Sequence, residues 1–140
     1  MLQVKLQHQL KQTLIHINIE DTKAKIYAIQ GPSGIGKTTI LNIIAGLRQP
    51  DEAYINVNNQ LLVDTENHIN VKIVALARTL STKPNLILLD EPFSSLDDMS
   101  RDEGIHLVKQ IHEEWCIPII FVTHSNYEAE VLADEMIQIK

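Results

Sequence analysis

The stretch Gly31-Pro32-Ser33-Gly34-Ile35-Gly36-Lys37-Thr38 constrains this chain more than any other feature, because it fits G-x-x-x-x-G-K-[ST] in the setting that pattern requires. Before it, Lys25 to Gln30 alternates, with Ile26 and Ala28 on one face and Tyr27 and Ile29 on the other, which predicts a strand. After it, Ile40, Ile43, Ile44 and Leu47 recur at helical spacing from Lys37 onward, and Pro50 lies just beyond the expected end. Strand, glycine loop and helix follow one another. The glycines let consecutive backbone N–H groups turn inward around phosphate oxygens, and the helix adds the positive end of its dipole. In such a loop Lys37 contacts the β- and γ-phosphates of a nucleotide, and the Thr38 hydroxyl ligates Mg²⁺.

The rest of the chain supplies the sheet and helices that such a loop needs. Leu14 to Ile19 reads as a strand. Tyr54 to Val57 turns through Asn58-Asn59 into Gln60 to Val63 as a hairpin. Val71, Val74, Ala75 and Arg78 predict a helix over 71–80, closed by Pro84. Leu86 to Leu89 is a continuous apolar run ending in Asp90, the pattern of a parallel strand buried on both faces. A helix from Arg101 to Trp115 follows, with Ile105, Val108, Ile111 and Trp115 on its apolar face. Then come a strand, Ile117 to Thr123, a helix, Tyr127 to Ala133, and a short strand, Met136 to Ile139. Strands alternating with helices predict an α/β domain with a largely parallel sheet covered on both faces.

At 140 residues the expectation is a single domain, and 44% hydrophobic with 21% charged residues excludes a disordered chain. A net charge of −6 argues against broad binding to nucleic acid or anionic lipid. Cys116 has no second cysteine to pair with and is expected to be a small core residue. With no signal-peptide pattern and no apolar run long enough to cross a bilayer, a cytoplasmic location is expected. His106 and His112 are six apart, on different faces of their helix, so a structural metal site there is not expected.

Two further segments point to the same sheet edge. Asp90 and Glu91 close the apolar run Leu86 to Leu89, at the carboxyl end of a strand, where open α/β sheets bind ligands. Beside a phosphate loop, Asp90 is expected to hold Mg²⁺ directly or through water. Glu91 is expected to polarise an attacking water as general base. His124 likewise follows an apolar strand and can reach the γ-phosphate from that edge.

Taken together these residues resemble the ATP-binding subunit of ABC transporters, and the fold implied is a P-loop NTPase core. Gly31 to Thr39 matches the Walker A motif, so that Gly31, Pro32, Ser33, Gly34, Ile35, Gly36, Lys37, Thr38 and Thr39 are the implied nucleotide-binding residues. Leu86 to Pro92 matches Walker B, with Asp90 joining Thr38 as a metal ligand and Glu91 as catalytic glutamate. Ser95-Leu96-Asp97 matches the D-loop, His124 the switch histidine, and Val74 to Arg78 the helix after the family signature. The opening Met1-Leu2-Gln3-Val4, with Leu41-Asn42 and Gly46-Leu47, is most similar to molybdate-type importers. The resemblance implies ATP and Mg²⁺ as cofactors. It also implies a membrane permease and a second ATPase subunit as partners, at the inner face of the membrane.

The departures from that family are as informative. The signature Leu-Ser-Gly-Gly-Gln should precede Val74, but Glu66-Asn67-His68-Ile69-Asn70 stands there, and the two glycines outside the loop are Gly46 and Gly104. No glutamine lies between Gln60 and Gln110, so the Q-loop residue is missing. The short interval between Gly36 and Asp90 reads as a deletion of the helical subdomain, with its join near 68–72, and the C-terminal regulatory domain of some importers is not expected in this chain. No aromatic precedes Tyr27 to stack on adenine, which leaves His8 or His16. The expected function is therefore the ATP-binding core of an importer ATPase, with low activity as an isolated chain. The alternative is a nucleotide-binding module without efficient hydrolysis or coupling. A small-molecule kinase is disfavoured, because Asp90, Glu91 and His124 suit water activation better than transfer to a second substrate.

Overall fold

The computed structural model describes residues 2–10, 13–31, 37–45, 50–57, 60–64, 69–70 and 86–138. Two long strands come first, β1 (Leu2–Leu10) and β2 (Thr13–Asp21), followed by β3 (Ile26–Gln30) and α1 (Lys37–Ile44). Then come β4 (Glu52–Val57), β5 (Gln60–Asp64), the short β6 (Ile69–Asn70), and β7 (Ile87–Asp90). The chain continues through α2 (Asp98–Trp115), β8 (Ile119–Thr123), α3 (Asn126–Leu132) and β9 (Glu135–Gln138). The helix expected over 71–80, together with Leu47, lies outside the described residues.

The described strands form two sheets. The expected parallel sheet is present, in the order β7-β8-β3-β9, and helices flank it. A second, antiparallel sheet runs β2-β1-β4-β5-β6 and includes the predicted hairpin of β4 and β5. Strand β1 precedes the first strand that the sequence pattern predicts. Its Leu2, Val4, Leu6 and His8 face inward and alternate with Gln3, Lys5, Gln7 and Gln9, so burial of one face overrides the weak β propensity of glutamine and lysine.

The predicted split of β3 into two faces divides the core. Tyr27 and Ile29 pack with Ile120 and Val122 of β8, the inner faces of β1, β2 and β4, and Ile40, Ile43 and Ile44 of α1. On the opposite side, Ile26 and Ala28 pack with Ile119 and Phe121, Ile105 of α2, and Ala129 and Leu132 of α3. Burying each of these isoleucines fully is worth about 1.5–3 kcal/mol, so β3 and β8 are held in register from both sides.

Two local expectations are corrected. Among the described residues β7 is an edge strand, and Ile87, Leu88 and Leu89 are half-buried where burial on both faces was expected. It has one sheet neighbour, and packing covers each of its faces only in part. Cys116 is exposed and not a core residue. It caps the C-terminus of α2 with φ 53°, in the left-handed conformation, and its backbone N–H donates to the His112 carbonyl at 2.8 Å. The strand expected from Ile117 begins only at Ile119, two residues later, after the turn at Cys116.

Candidate functional site

The carboxyl ends of β3, β7 and β8 lie side by side, because Gln30 pairs with Thr123 and Asp90 with Val122 across parallel ladders. That register delivers Gly31, Glu91 and His124, each just past its strand, to one edge. Helix α1 starts at the same edge and brings Lys37, Thr38 and Thr39. Of the predicted phosphate loop, Pro32, Ser33, Gly34, Ile35 and Gly36 lie outside the described residues.

Lys37 is 4% exposed, and its Nζ donates to the Gly31 carbonyl at 2.6 Å. The ammonium therefore sits folded back over the start of the loop. The same Nζ is 3.8 Å from Glu91 Oε1. The Thr38 hydroxyl lies 3.1 Å from Asp90 Oδ2 and 3.4 Å from Oδ1, so α1 and β7 present a hydroxyl and a carboxylate side by side. These are the hard oxygen donors that Mg²⁺ takes when it also shares phosphate oxygens and water. Thr39 follows, half-buried.

Glu91 adopts φ 44°, a left-handed conformation unusual for a residue with a side chain and costing about 1–3 kcal/mol. Its backbone N–H donates to the Val122 carbonyl at 2.9 Å, which fixes the kink against β8. The kink turns the carboxylate toward His124, whose Nδ1 is 3.3 Å from Glu91 Oε1. One carboxylate oxygen thus stands within reach of both Lys37 and His124. An ionised Glu91 accepts a hydrogen bond from Nδ1 only when Nδ1 carries the proton.

His124 is exposed, but the backbone on either side of it is anchored. The Ser125 N–H donates to Thr123 Oγ1 at 3.0 Å, and that hydroxyl is 3.3 Å from Oε1 of the buried Glu128. Ser125 also caps α3 by accepting from the Glu128 N–H at 3.3 Å. The pattern Ser125-x-x-Glu128 is a capping box in which the Thr123 hydroxyl is interposed. Nearby, Gln30 Nε2 donates to Asn126 Oδ1. Sequence reasoning missed Thr123, Glu128, Gln30 and Asn126; the capping pattern was the one available signal.

The other candidates fall elsewhere. His8 is buried on the inner face of β1, and its Nδ1 accepts from the Asp51 N–H at 3.1 Å. His16 lies exposed on the outer face of β2. His112 Nδ1 is 2.9 Å from the Ile117 carbonyl, fastening the end of α2 to the approach to β8. Asp97 is the N-cap of α2 and accepts from the Ser100 N–H at 2.7 Å, a bond that lowers its pKa below the usual carboxylate value. No group of three or more metal-ligating side chains occurs among the described residues.

Residues 14–73 match the family described as ABC transporter. The chain is 29% identical over 200 residues to a molybdenum import ATP-binding protein, ModC, of Haemophilus influenzae, spanning 98% of this chain and 57% of the relative. It is 30% identical over 189 residues to a sulfate/thiosulfate import ATP-binding protein, CysA, of Mesostigma viride, spanning 90% of this chain and 54% of the relative. The chain thus spans little more than half the length of these curated relatives. Among solved structures, cbiO1 from Clostridium perfringens, part of an ABC transporter complex, superposes with a TM-score of 0.76 at 19% identity, covering 99% of this chain and 84% of that one. The dimeric ATP-binding cassette MJ0796, bound to ADP and phosphate, gives 0.73 at 21% identity, covering 100% and 94%.

Proposed function

Because the chain belongs to the ABC transporter ATP-binding family, we propose that it is the nucleotide-binding core of an import-type ATPase and binds Mg²⁺-ATP at the carboxyl edge of its parallel sheet. The observation that carries this reading is the convergence there of Lys37, the Thr38–Asp90 pair, Glu91 and His124. Gly31 to Thr39 are the residues that take the phosphates, with Lys37 leaving the Gly31 carbonyl to meet the β- and γ-phosphates. Thr38 and Asp90 would hold Mg²⁺, which would supply positive charge to offset that of the phosphates. Glu91 takes a proton from water aimed at that group, and His124 orients Glu91 and contacts the γ-phosphate.

The relatives' names support import, of molybdenum or of sulfate and thiosulfate, and the opening residues favour molybdate as solute. By the same reasoning the chain works on the cytoplasmic side of a permease, facing a second ATPase subunit. Among the described residues no helix is long and apolar enough to cross a membrane.

The shortening bears on activity. An alignment of 200 positions that draws on 98% of 140 residues, about 137, leaves about 63 positions where the relative has residues and this chain has none. We place that gap near 68–72, beside the point where the family match ends at residue 73. The missing glycine pair of the signature favours a module that binds nucleotide and hydrolyses it slowly. Phosphate release from Mg²⁺-ATP tests this. The expected outcome is very slow turnover, unaffected by added small-molecule acceptors; robust turnover that disappears in Glu91→Gln would make the chain a self-sufficient enzyme.

A further inference from the structure

Gln30 is the last residue of β3, only 6% exposed, and the next residue is Gly31, whose carbonyl holds Lys37. Asn126 is the first residue of α3, exposed to solvent and two positions beyond His124. Their side-chain amides join the two. A primary amide buried at a sheet edge needs a partner, and here the partner belongs to the turn that carries His124. The backbone of Gln30 also pairs with Thr123, the residue before His124, so amide and ladder act on both sides of the histidine. The Thr123 hydroxyl links Ser125 to Glu128, so a shift of α3 at Asn126 moves this whole turn as one piece.

We propose that Gln30 and Asn126 are positioning residues that couple occupancy of the phosphate loop to the placement of His124. The inference rests on the nucleotide-binding proposal above and adds to it a route between two parts of the site. When Lys37 leaves Gly31 for phosphate, the Gly31 peptide loses its partner and reorients. Gln30 is covalently next to it and transmits that change through Asn126 to the turn Thr123-His124-Ser125. The polar chain from Lys37 through Glu91 to His124 is a competing route, and it is left intact by substitutions at Gln30 and Asn126.

Mg²⁺-ADP separates the two ideas, because it fills the α- and β-phosphate positions but has no γ-phosphate to touch His124. Its binding to the full chain is measured by calorimetry. The His124 ring resonance, assigned by its loss in His124→Gln, is followed by NMR at fixed pH. In the wild type Mg²⁺-ADP is expected to displace that resonance. In Asn126→Ala and in Gln30→Leu the displacement should fall below half, with ADP affinity held within threefold. The exchanged pair Gln30→Asn with Asn126→Gln, which restores an amide facing an amide, should recover it. Asn126 is exposed and Gln30→Leu is apolar in a buried place, so cooperative melting is expected of both variants. Undiminished displacement in both variants, or a displacement lost only in Glu91→Gln, overturns the proposal while leaving nucleotide binding in place. No displacement in a wild type that binds ADP overturns it equally. A wild type that binds neither ADP nor ATP overturns the nucleotide-binding proposal itself, and this inference with it.

Discussion

Gly104 sits within α2, where an ideal Cβ would stand 2.8 Å from Phe93 Cε1 and 3.0 Å from Cδ1. Phe93 is 5% exposed and lies in the turn that follows Glu91, so this contact sets how closely the turn packs on the helix. Two effects oppose each other in Gly104→Ala. Alanine in a helix interior is favoured over glycine by about 0.8–1.0 kcal/mol. Forcing a methyl into a filled contact costs about 1–3 kcal/mol, because the Phe93 ring must move. The net expectation is a destabilisation of about 0–2 kcal/mol, where each kcal/mol lowers the melting temperature by about 3–5 °C in a chain of this length. Phe93→Leu makes room, so the double variant should be more stable than the sum of the single effects, with a coupling of about 1 kcal/mol or more. Thermal denaturation of the four proteins reads this directly. Stabilisation by the full helix-propensity gain in Gly104→Ala, with additive effects in the double variant, would show that the Phe93 contact does not constrain the helix.

Mg²⁺-ATP at about 100 times its dissociation constant should add about 2.7 kcal/mol and raise the melting temperature by roughly 5–15 °C, an effect that shrinks sharply without Mg²⁺. The Asp21 carboxylate accepts hydrogen bonds from Lys25 Nζ and the Lys23 N–H, which lowers its pKa from 3.8 to about 2. Its contribution to stability is complete above pH 4 and is lost as pH falls toward 2, so Asp21→Asn should flatten the acid limb of melting temperature against pH. An acid limb equally steep in that variant would assign the transition to other carboxylates. Asp97→Ala removes the N-cap of α2 and should lower the melting temperature, whereas Asp97→Asn, an equally good cap, should retain most of it. Equal losses in the two variants would mean that charge and not capping is what Asp97 contributes.

Strand β3 and helix α1 were legible because alternation marks the one and helical spacing from Lys37 the other, on either side of a glycine pattern. Asp90, Glu91 and His124 were legible because apolar runs precede them, and parallel strands deliver their carboxyl ends to one edge. Strand β1 was hidden by its four outward polar residues and by His8, which sits where an apolar side chain would complete the pattern. The antiparallel pairing of β1 with β4 joins segments about 50 residues apart, and no local period reports it. Gln30 and Asn126 are 96 residues apart, and only the register of β3 against β8 shows that their amides meet. Cys116 was misread because hydrophobicity alone does not mark where a left-handed turn must precede a strand.

Calorimetric titration of Mg²⁺-ATP into the chain and into Lys37→Ala reads whether nucleotide phosphate meets this lysine. A charge-assisted hydrogen bond to phosphate contributes about 1.5–3 kcal/mol, so the variant is expected to bind about 10- to 150-fold more weakly than the wild type, at unchanged stoichiometry where binding persists. Equal affinity in the two proteins, with both shown to be folded, would contradict the placement of nucleotide phosphate at Lys37 and the account built on it.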